Sequence, residues 1–162
     1  MIRFAAVGAL AIVTWLVAAT QVPSHERLQV GGVVIGAVIT QPFGCTDLEL
    51  EPFDPACSTR HFHSGIDLAS PLGTAVYSAT AGKAYVGYDP NGAGNFVAVV
   101  MDTHVRVLYC HLSEIRVAPG QEVAPGMLIG LVGATGLTTG PHVHLQVDVD
   151  GTPVDPATFL AS

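Results

Sequence analysis

Positive charge is the scarcest feature of this sequence. Six lysines and arginines stand against 13 aspartates and glutamates, for a formal net charge of −7. A nucleic-acid surface needs clustered cations, and their lack sets that class of partner aside. Charged residues of both signs reach only 12%, too few for a disordered charged tail. No long stretch carries the 3.6-residue period of an amphipathic helix, and there is no fixed-period repeat or low-complexity tract. What the chain does have is apolar and turn-forming. Hydrophobic residues make up 49%, and 18 glycines and 11 prolines punctuate 162 residues. That composition favours short strands in one domain with a core of its own.

The chain opens with a targeting pattern. Arg3 precedes an apolar run from Phe4 to Ala19, broken only by Gly8 and Thr14, and the run ends in Val17-Ala18-Ala19. One positive charge, an apolar stretch and small residues before Thr20 are the layout of a secretory signal peptide. An uncleaved membrane anchor is the rival reading of residues 1–20, although a run of sixteen residues falls short of the ~20 that span a bilayer. Either reading exports the rest of the chain, to a secreted, periplasmic or envelope-anchored location. Residues 21–29 are polar and read as a linker, and residues 30–162 as the domain.

An exported chain can keep disulfides. Cys45 and Cys57 flank an acidic, proline-containing loop and are expected to pair, stabilising the fold by about 2–3 kcal/mol through loop entropy. Cys110 remains, inside the apolar run Val105–Cys110, where it reads as a small buried residue. The domain itself is expected to be all-β and mainly antiparallel. Strands are expected at Ala75–Tyr77, Lys83–Tyr88, Asn95–Met101, Val105–Tyr109, Met127–Val132 and Val143–Val149. Turns are expected at Asp89-Pro90-Asn91-Gly92, Asp102-Thr103 and Asp150-Gly151. Val30–Ile39 reads as a further apolar run, glycine-containing and then β-branched.

Seven histidines in so weakly charged a chain point to chemistry. His63 and Asp67 lie four apart around Ser64-Gly65, a spacing that lets both side chains turn toward one point. His142 and His144 open a strand, where alternate residues share a face. They follow the tight turn Thr138-Thr139-Gly140-Pro141. His111 ends an apolar strand. Singly, each is an ordinary core or surface histidine. Together they supply three metal ligands and two further imidazoles, the set a zinc hydrolase requires.

These segments, in this order, resemble the lysostaphin-like, LytM-type zinc metallopeptidases of bacterial cell walls. The likeness runs from Val38 to Pro156. It rests on Arg60-His61-Phe62-His63-Ser64-Gly65-Ile66-Asp67-Leu68, on Pro71-Leu72-Gly73-Thr74-Ala75-Val76 with Ala81-Gly82, and on Gly94-Asn95. It also rests on Tyr109-Cys110-His111-Leu112, Gly120-Gln121-Glu122-Val123, Thr135-Gly136 and Thr139-Gly140-Pro141-His142-Val143-His144-Leu145. The resemblance implies a groove between antiparallel sheets and one Zn2+ per chain held by His63, Asp67 and His144. It implies His111 and His142 as catalytic residues and a monomer acting on peptides of peptidoglycan, either stem cross-links or bridges. His61 competes with His63 as a ligand, but the spacing to Asp67 belongs to His63.

Three positions depart from the family pattern. Gln146 stands where glutamate is frequent, Cys110 where a small residue is usual, and no tyrosine lies between Gln41 and Val76. His25 and His104 read as solvated. Asp47, Glu49, Glu51 and Asp54 read as a solvated loop near the groove. A catalytically idle, zinc-containing module that binds wall peptide or activates another hydrolase is the rival function. The presence of both His111 and His142 favours the enzyme, since a binding module has no use for two imidazoles beside its metal.

Overall fold

The computed structural model describes residues 27–162. The expected leader at 1–20, residues 21–26 of the linker and His25 lie outside them. A single helical turn, α1 (Val30–Val33), leads into β1 (Val38–Gln41) and β2 (Gly44–Thr46). Next come β3 (His61–His63), β4 (Ile66–Ala69), β5 (Ala75–Tyr77) and the long hairpin of β6 (Gly82–Asp89) and β7 (Gly94–Val100). Then follow β8 (Val105–Leu112), β9 (Glu114–Ile115), β10 (Glu122–Val123) and β11 (Leu128–Leu131). The chain closes with β12 (His142–Val149), β13 (Thr152–Val154) and α2 (Pro156–Ala161).

The main sheet has the order β1-β4-β12-β8-β7-β6-β10, with β13 paired to β12. A small sheet, β5-β11-β9, and a ribbon, β2-β3, complete the β-structure. Each strand pair among the described residues is antiparallel. The all-β expectation therefore holds, and the expected hairpins at Asp102-Thr103 and Asp150-Gly151 form.

Period-two alternation decides which face does what. On β12, Val143, Leu145 and Val147 are fully buried, and on β4 so nearly are Ile66 and Leu68. They meet Val97, Val99, Val107, Tyr109 and Leu112 from β7 and β8, and Val76 and Ile129 from the small sheet, in one core. The intervening residues of β4 and β12, namely Asp67, His142, His144 and Gln146, are then forced to the opposite face. The core thus fixes the strands whose other side carries the polar groups.

Two terminal segments differ from the sequence expectation. Val30–Ile39 begins as the turn of helix α1, and strand structure starts only at Val38. The reason is burial: Val33 and Val34 drop into the core, whereas Val38 and Ile39 stay exposed. The short helix α2 was not expected. Its signals are local, Asp155 capping the N–H of Ala157 and Pro156 opening the first turn, and its Leu160 enters the core. Residues 27–29, expected as the end of a linker, lie against the domain. Leu28 packs on the core and its N–H donates to the Ala79 carbonyl. The Arg27 guanidinium stacks 4.2 Å from the Phe159 ring centre. Among the described residues, no helix is long and apolar enough to cross a membrane.

Leu145 lies in the core between two strand neighbours that face the other way. Leu145→Ala is expected to destabilise the domain by about 2–5 kcal/mol, read as a lower urea midpoint with an unchanged slope.

Candidate metal centre

His63 ends β3, the chain reverses through Ser64-Gly65, and Asp67 follows on β4. Gly65 makes the reversal fit. A Cβ there would lie 2.4 Å from the Leu145 carbonyl oxygen and 2.8 Å from His144 Nε2. The absent side chain lets the β3–β4 turn lie directly on β12. The register of β4 with β12 then sets Asp67 opposite His144, close enough for their side chains to meet.

Three atoms converge as a result. His63 Nε2 and His144 Nδ1 are 2.9 Å apart, and each is 3.1 Å from Asp67 Oδ1. The partners on the far side of each ring show what those atoms offer. His63 Nδ1 lies 2.9 Å from the Pro42 carbonyl. A carbonyl only accepts, so the proton is on Nδ1 and the neutral ring presents a lone pair at Nε2. His144 Nε2 faces Gln146 Oε1 at 3.3 Å, which leaves its inward Nδ1 as the acceptor.

Three acceptors this close repel one another unless a cation lies among them. Tetrahedral zinc, with bonds of roughly 2.0–2.2 Å to nitrogen and oxygen, spaces its ligands roughly 3.3–3.5 Å apart, a few tenths of an ångström wider than this triangle. Two imidazoles and one carboxylate are also a donor set that suits zinc. The geometry and the chemistry both fit a metal held by His63, Asp67 and His144.

Electrostatics draws positive charge to the same point, carried by ring protons where no metal competes for the lone pairs. Burial alone would raise the Asp67 pKa. Hydrogen bonds that the His144 and His63 rings donate when protonated there, and the charges of His63 and His142, outweigh it and hold the carboxyl far below its usual range. Burial lowers the His63 pKa, but its bonds to Asp67 and the Pro42 carbonyl and the charges of Asp67 and Glu51 carry it above the ordinary value.

Two more imidazoles stand beside the triangle. His111 closes β8 with φ 63°, a backbone region that non-glycine residues seldom enter, at a cost of about 1–3 kcal/mol. Its N–H donates to the Ala93 carbonyl and its Nδ1–H to the Thr135 carbonyl at 2.9 Å. The Thr135 loop is itself tied to the β7 entry, where Gly94 has φ 62° and a Cβ would strike the Thr135 carbonyl oxygen at 2.3 Å. Burial, reinforced by His142 and His144, pulls the His111 pKa down to about 4 despite the Thr135 carbonyl and Asp67. The ring is neutral at neutral pH. His142, first in β12, lies with Nδ1 2.9 Å from the Gly140 carbonyl and 3.1 Å from Thr138 Oγ1. Its Nε2 is 3.6 Å from Asp67 Oδ1. The His111 and His142 ring centres are 4.8 Å apart.

The remaining candidates fall elsewhere. His61 Nδ1 donates to the Glu51 carbonyl, so that ring is outside the triangle. His104 is exposed and bonds Asp150. Cys110 is buried, and burial, with the charges of Asp67 and Asp148, pushes its thiol up to about 12, as fits an inert core residue. Cys45 and Cys57 form a disulfide. The loop it closes does more than was expected of a solvated segment. Leu50, Glu51 and Pro52 wall a cavity of about 350 Å³ that reaches His111 and His144. Leu48, Leu50 and Glu51 wall a smaller one of about 40 Å³ touching Asp67, His111, His142 and His144. Leu48 and Leu50, apolar residues in an otherwise acidic loop, are the sequence signal for this wall.

A family model described as peptidase family M23 matches residues 61–156, more than half the chain. This chain belongs to peptidase family M23. Members of the family are zinc metallopeptidases. The peptidoglycan DD-endopeptidase ShyB of Vibrio cholerae is 43% identical over 93 residues, 57% of this chain and 22% of that protein. The DD-carboxypeptidase/endopeptidase Mpg of Neisseria meningitidis is 38% identical over 120 residues, 74% of this chain and 26% of that one. The catalytic domain of lysostaphin from Staphylococcus simulans superimposes with a TM-score of 0.64 at 30% identity, covering 78% of this chain and 93% of that domain. The chain thus spans about a quarter or less of the length of these two curated relatives, and it has the lysostaphin-like fold.

Gly65→Ala should press a methyl group into the Leu145 carbonyl and His144, lifting the β3–β4 turn off β12 and spreading His63 and Asp67 from His144. Overpacking of about 1–3 kcal/mol corresponds to zinc binding weaker by about 5- to 150-fold, measured by competition with a chromogenic chelator.

Proposed function

We propose that this M23 domain is a zinc-dependent endopeptidase that hydrolyses peptide bonds in bacterial peptidoglycan. One zinc ion is held by His63, Asp67 and His144, with His111 and His142 as the catalytic residues. The observation that carries this reading is the orientation of two imidazoles beside a triangle of metal-facing acceptors. Each has its Nδ1 turned to a backbone carbonyl, Thr135 for His111 and Gly140 for His142.

Zinc, when bound, supplies Lewis acidity that polarises a carbonyl oxygen and acidifies water. The chain's own groups handle protons and position. His111, neutral and with its proton fixed on Nδ1, accepts a proton at Nε2 from the attacking water and returns it to the leaving amine. His142 Nε2, close to Asp67, donates when protonated to the oxygen on which charge develops in the tetrahedral intermediate. The flanking cavities, walled by Leu50 and Leu137, hold the peptide on either side of the scissile bond and exclude water from it.

The substrate class is supported by the relatives named as peptidoglycan endopeptidases. An envelope or extracellular location follows from that substrate, with residues 1–20 as the export signal or as a membrane contact. A monomer suffices, because the described residues supply all five groups.

The test is hydrolysis of purified peptidoglycan by wild type, His111→Ala and His144→Ala, with zinc measured on each. Wild type should release new amine termini. His111→Ala should keep its zinc and lose about 10²- to 10⁴-fold in rate, and His144→Ala should lose the metal. A zinc-loaded wild type that frees no amines from walls of any cross-link chemistry overturns the proposal.

A further inference from the structure

Behind His144 the hydrogen bonding continues along the same face of β12. His144, Gln146 and Asp148 are alternate residues of one strand, so their side chains stand in a row. His144 Nε2 lies 3.3 Å from Gln146 Oε1. Gln146 Nε2 donates to Asp148 Oδ1 at 2.7 Å. Asp148 Oδ2 accepts from Arg106 Nε at 2.7 Å, across the β8–β12 register that pairs these two residues. Asp148 is only 2% exposed, whereas Arg106 is 53% exposed. Ser64 Oγ, in the turn between His63 and Asp67, also donates to Gln146 Oε1, at 2.7 Å.

We infer that Gln146, oriented by Asp148 and Arg106, is a positioning residue that holds His144 with its proton on Nε2 and its Nδ1 lone pair turned to the metal. This rests on the reading of His144 as a zinc ligand. The argument runs through donor and acceptor identity. A carboxylate only accepts, so the end of the Gln146 amide that meets Asp148 must be its NH2. The carbonyl end is thereby forced toward Ser64 and His144. A carbonyl oxygen also only accepts, so the nitrogen of His144 that faces it must carry a proton; Asp67 Oδ1, 3.1 Å from Nδ1, can hold a second proton there that a metal displaces. Arg106 closes the chain by satisfying the other oxygen of a buried carboxylate that would be costly to leave unpaired. The two imidazole ligands therefore reach the metal through different nitrogens, His63 by Nε2 and His144 by Nδ1, and each is set by the acceptor behind it.

A hydrophobic residue at 146 would leave the His144 tautomer unspecified. A glutamate there would still accept from His144 but would set a second carboxylate against Asp148. These two substitutions separate a positioning role from a merely structural one.

The test uses the full exported chain and reads two quantities. Nitrogen-15 spectra of the histidine rings in the metal-free wild type should show His144 protonated at Nε2. Gln146→Leu should lose that fixed Nε2 proton and bind zinc about 10- to 100-fold more weakly in competition with a chelator. Gln146→Glu should restore both the proton and the affinity, with a lower urea midpoint that Asp148→Asn relieves. A wild-type spectrum with His144 Nδ1 protonated and Nε2 bare overturns the inference, as does a Gln146→Leu protein that keeps both the Nε2 proton and wild-type zinc affinity. If wild type binds no zinc, the proposed function fails, and the tautomer spectrum still decides the positioning role on its own. If Gln146→Leu does not fold, the wild-type spectrum and Gln146→Glu carry the decision.

Discussion

The pairing of β4 with β12 is the constraint on which the rest depends. One register sets Ile66 beside Leu145 and Leu68 beside Val143 on the buried face, and Asp67 opposite His144 on the other. Apolar burial holds the register, because a slip of one residue would turn the whole apolar set out of the core. The three proposed metal ligands are thus aligned by residues on the opposite, buried face.

Backbone carbonyls do the next share of the work. Pro42 faces His63, Thr135 faces His111, and Gly140 faces His142. In each case a group that can only accept fixes the proton on Nδ1, and the opposite nitrogen is left for the site. His144 is the exception, with a side-chain amide behind it. The strained backbone of His111 is held by the same loops that orient its ring, since Ala93 takes its N–H and Thr135 its Nδ1–H. Strain at such a position persists only where the surroundings over-determine it, and the close approach of Gly94 to Thr135 supplies that.

The loop between Cys45 and Cys57 joins two jobs. Its disulfide shortens the free chain, worth about 2–3 kcal/mol by loop entropy. Its base is the β2–β3 ribbon, whose last residue is His63. Leu48 and Leu50 line the same cavity as Leu137. One covalent link therefore anchors both His63 and a side of the cavity, which Glu51 lines together with the leucines.

Much of this was legible along the chain, and the reason is local. Strand alternation, turn dipeptides and the His63–Asp67 and His142–His144 spacings report short-range geometry, which sequence encodes directly. The same holds for the paired cysteines and for the motif order that resembles the family. The rest depended on contacts between residues far apart in sequence. Asp67 and His144 are 77 positions apart, and only the sheet order brings them together. The row from His144 to Arg106 needed both the strand face and the β8–β12 register. The leucine wall needed the loop to fold back over the site, and the terminal segments at Leu28 and Leu160 needed a core to enter. Sequence determined which residues could do chemistry and on which strand face each would fall. Tertiary structure decided which faces met, because register and burial are properties of pairs of segments and no single segment encodes them.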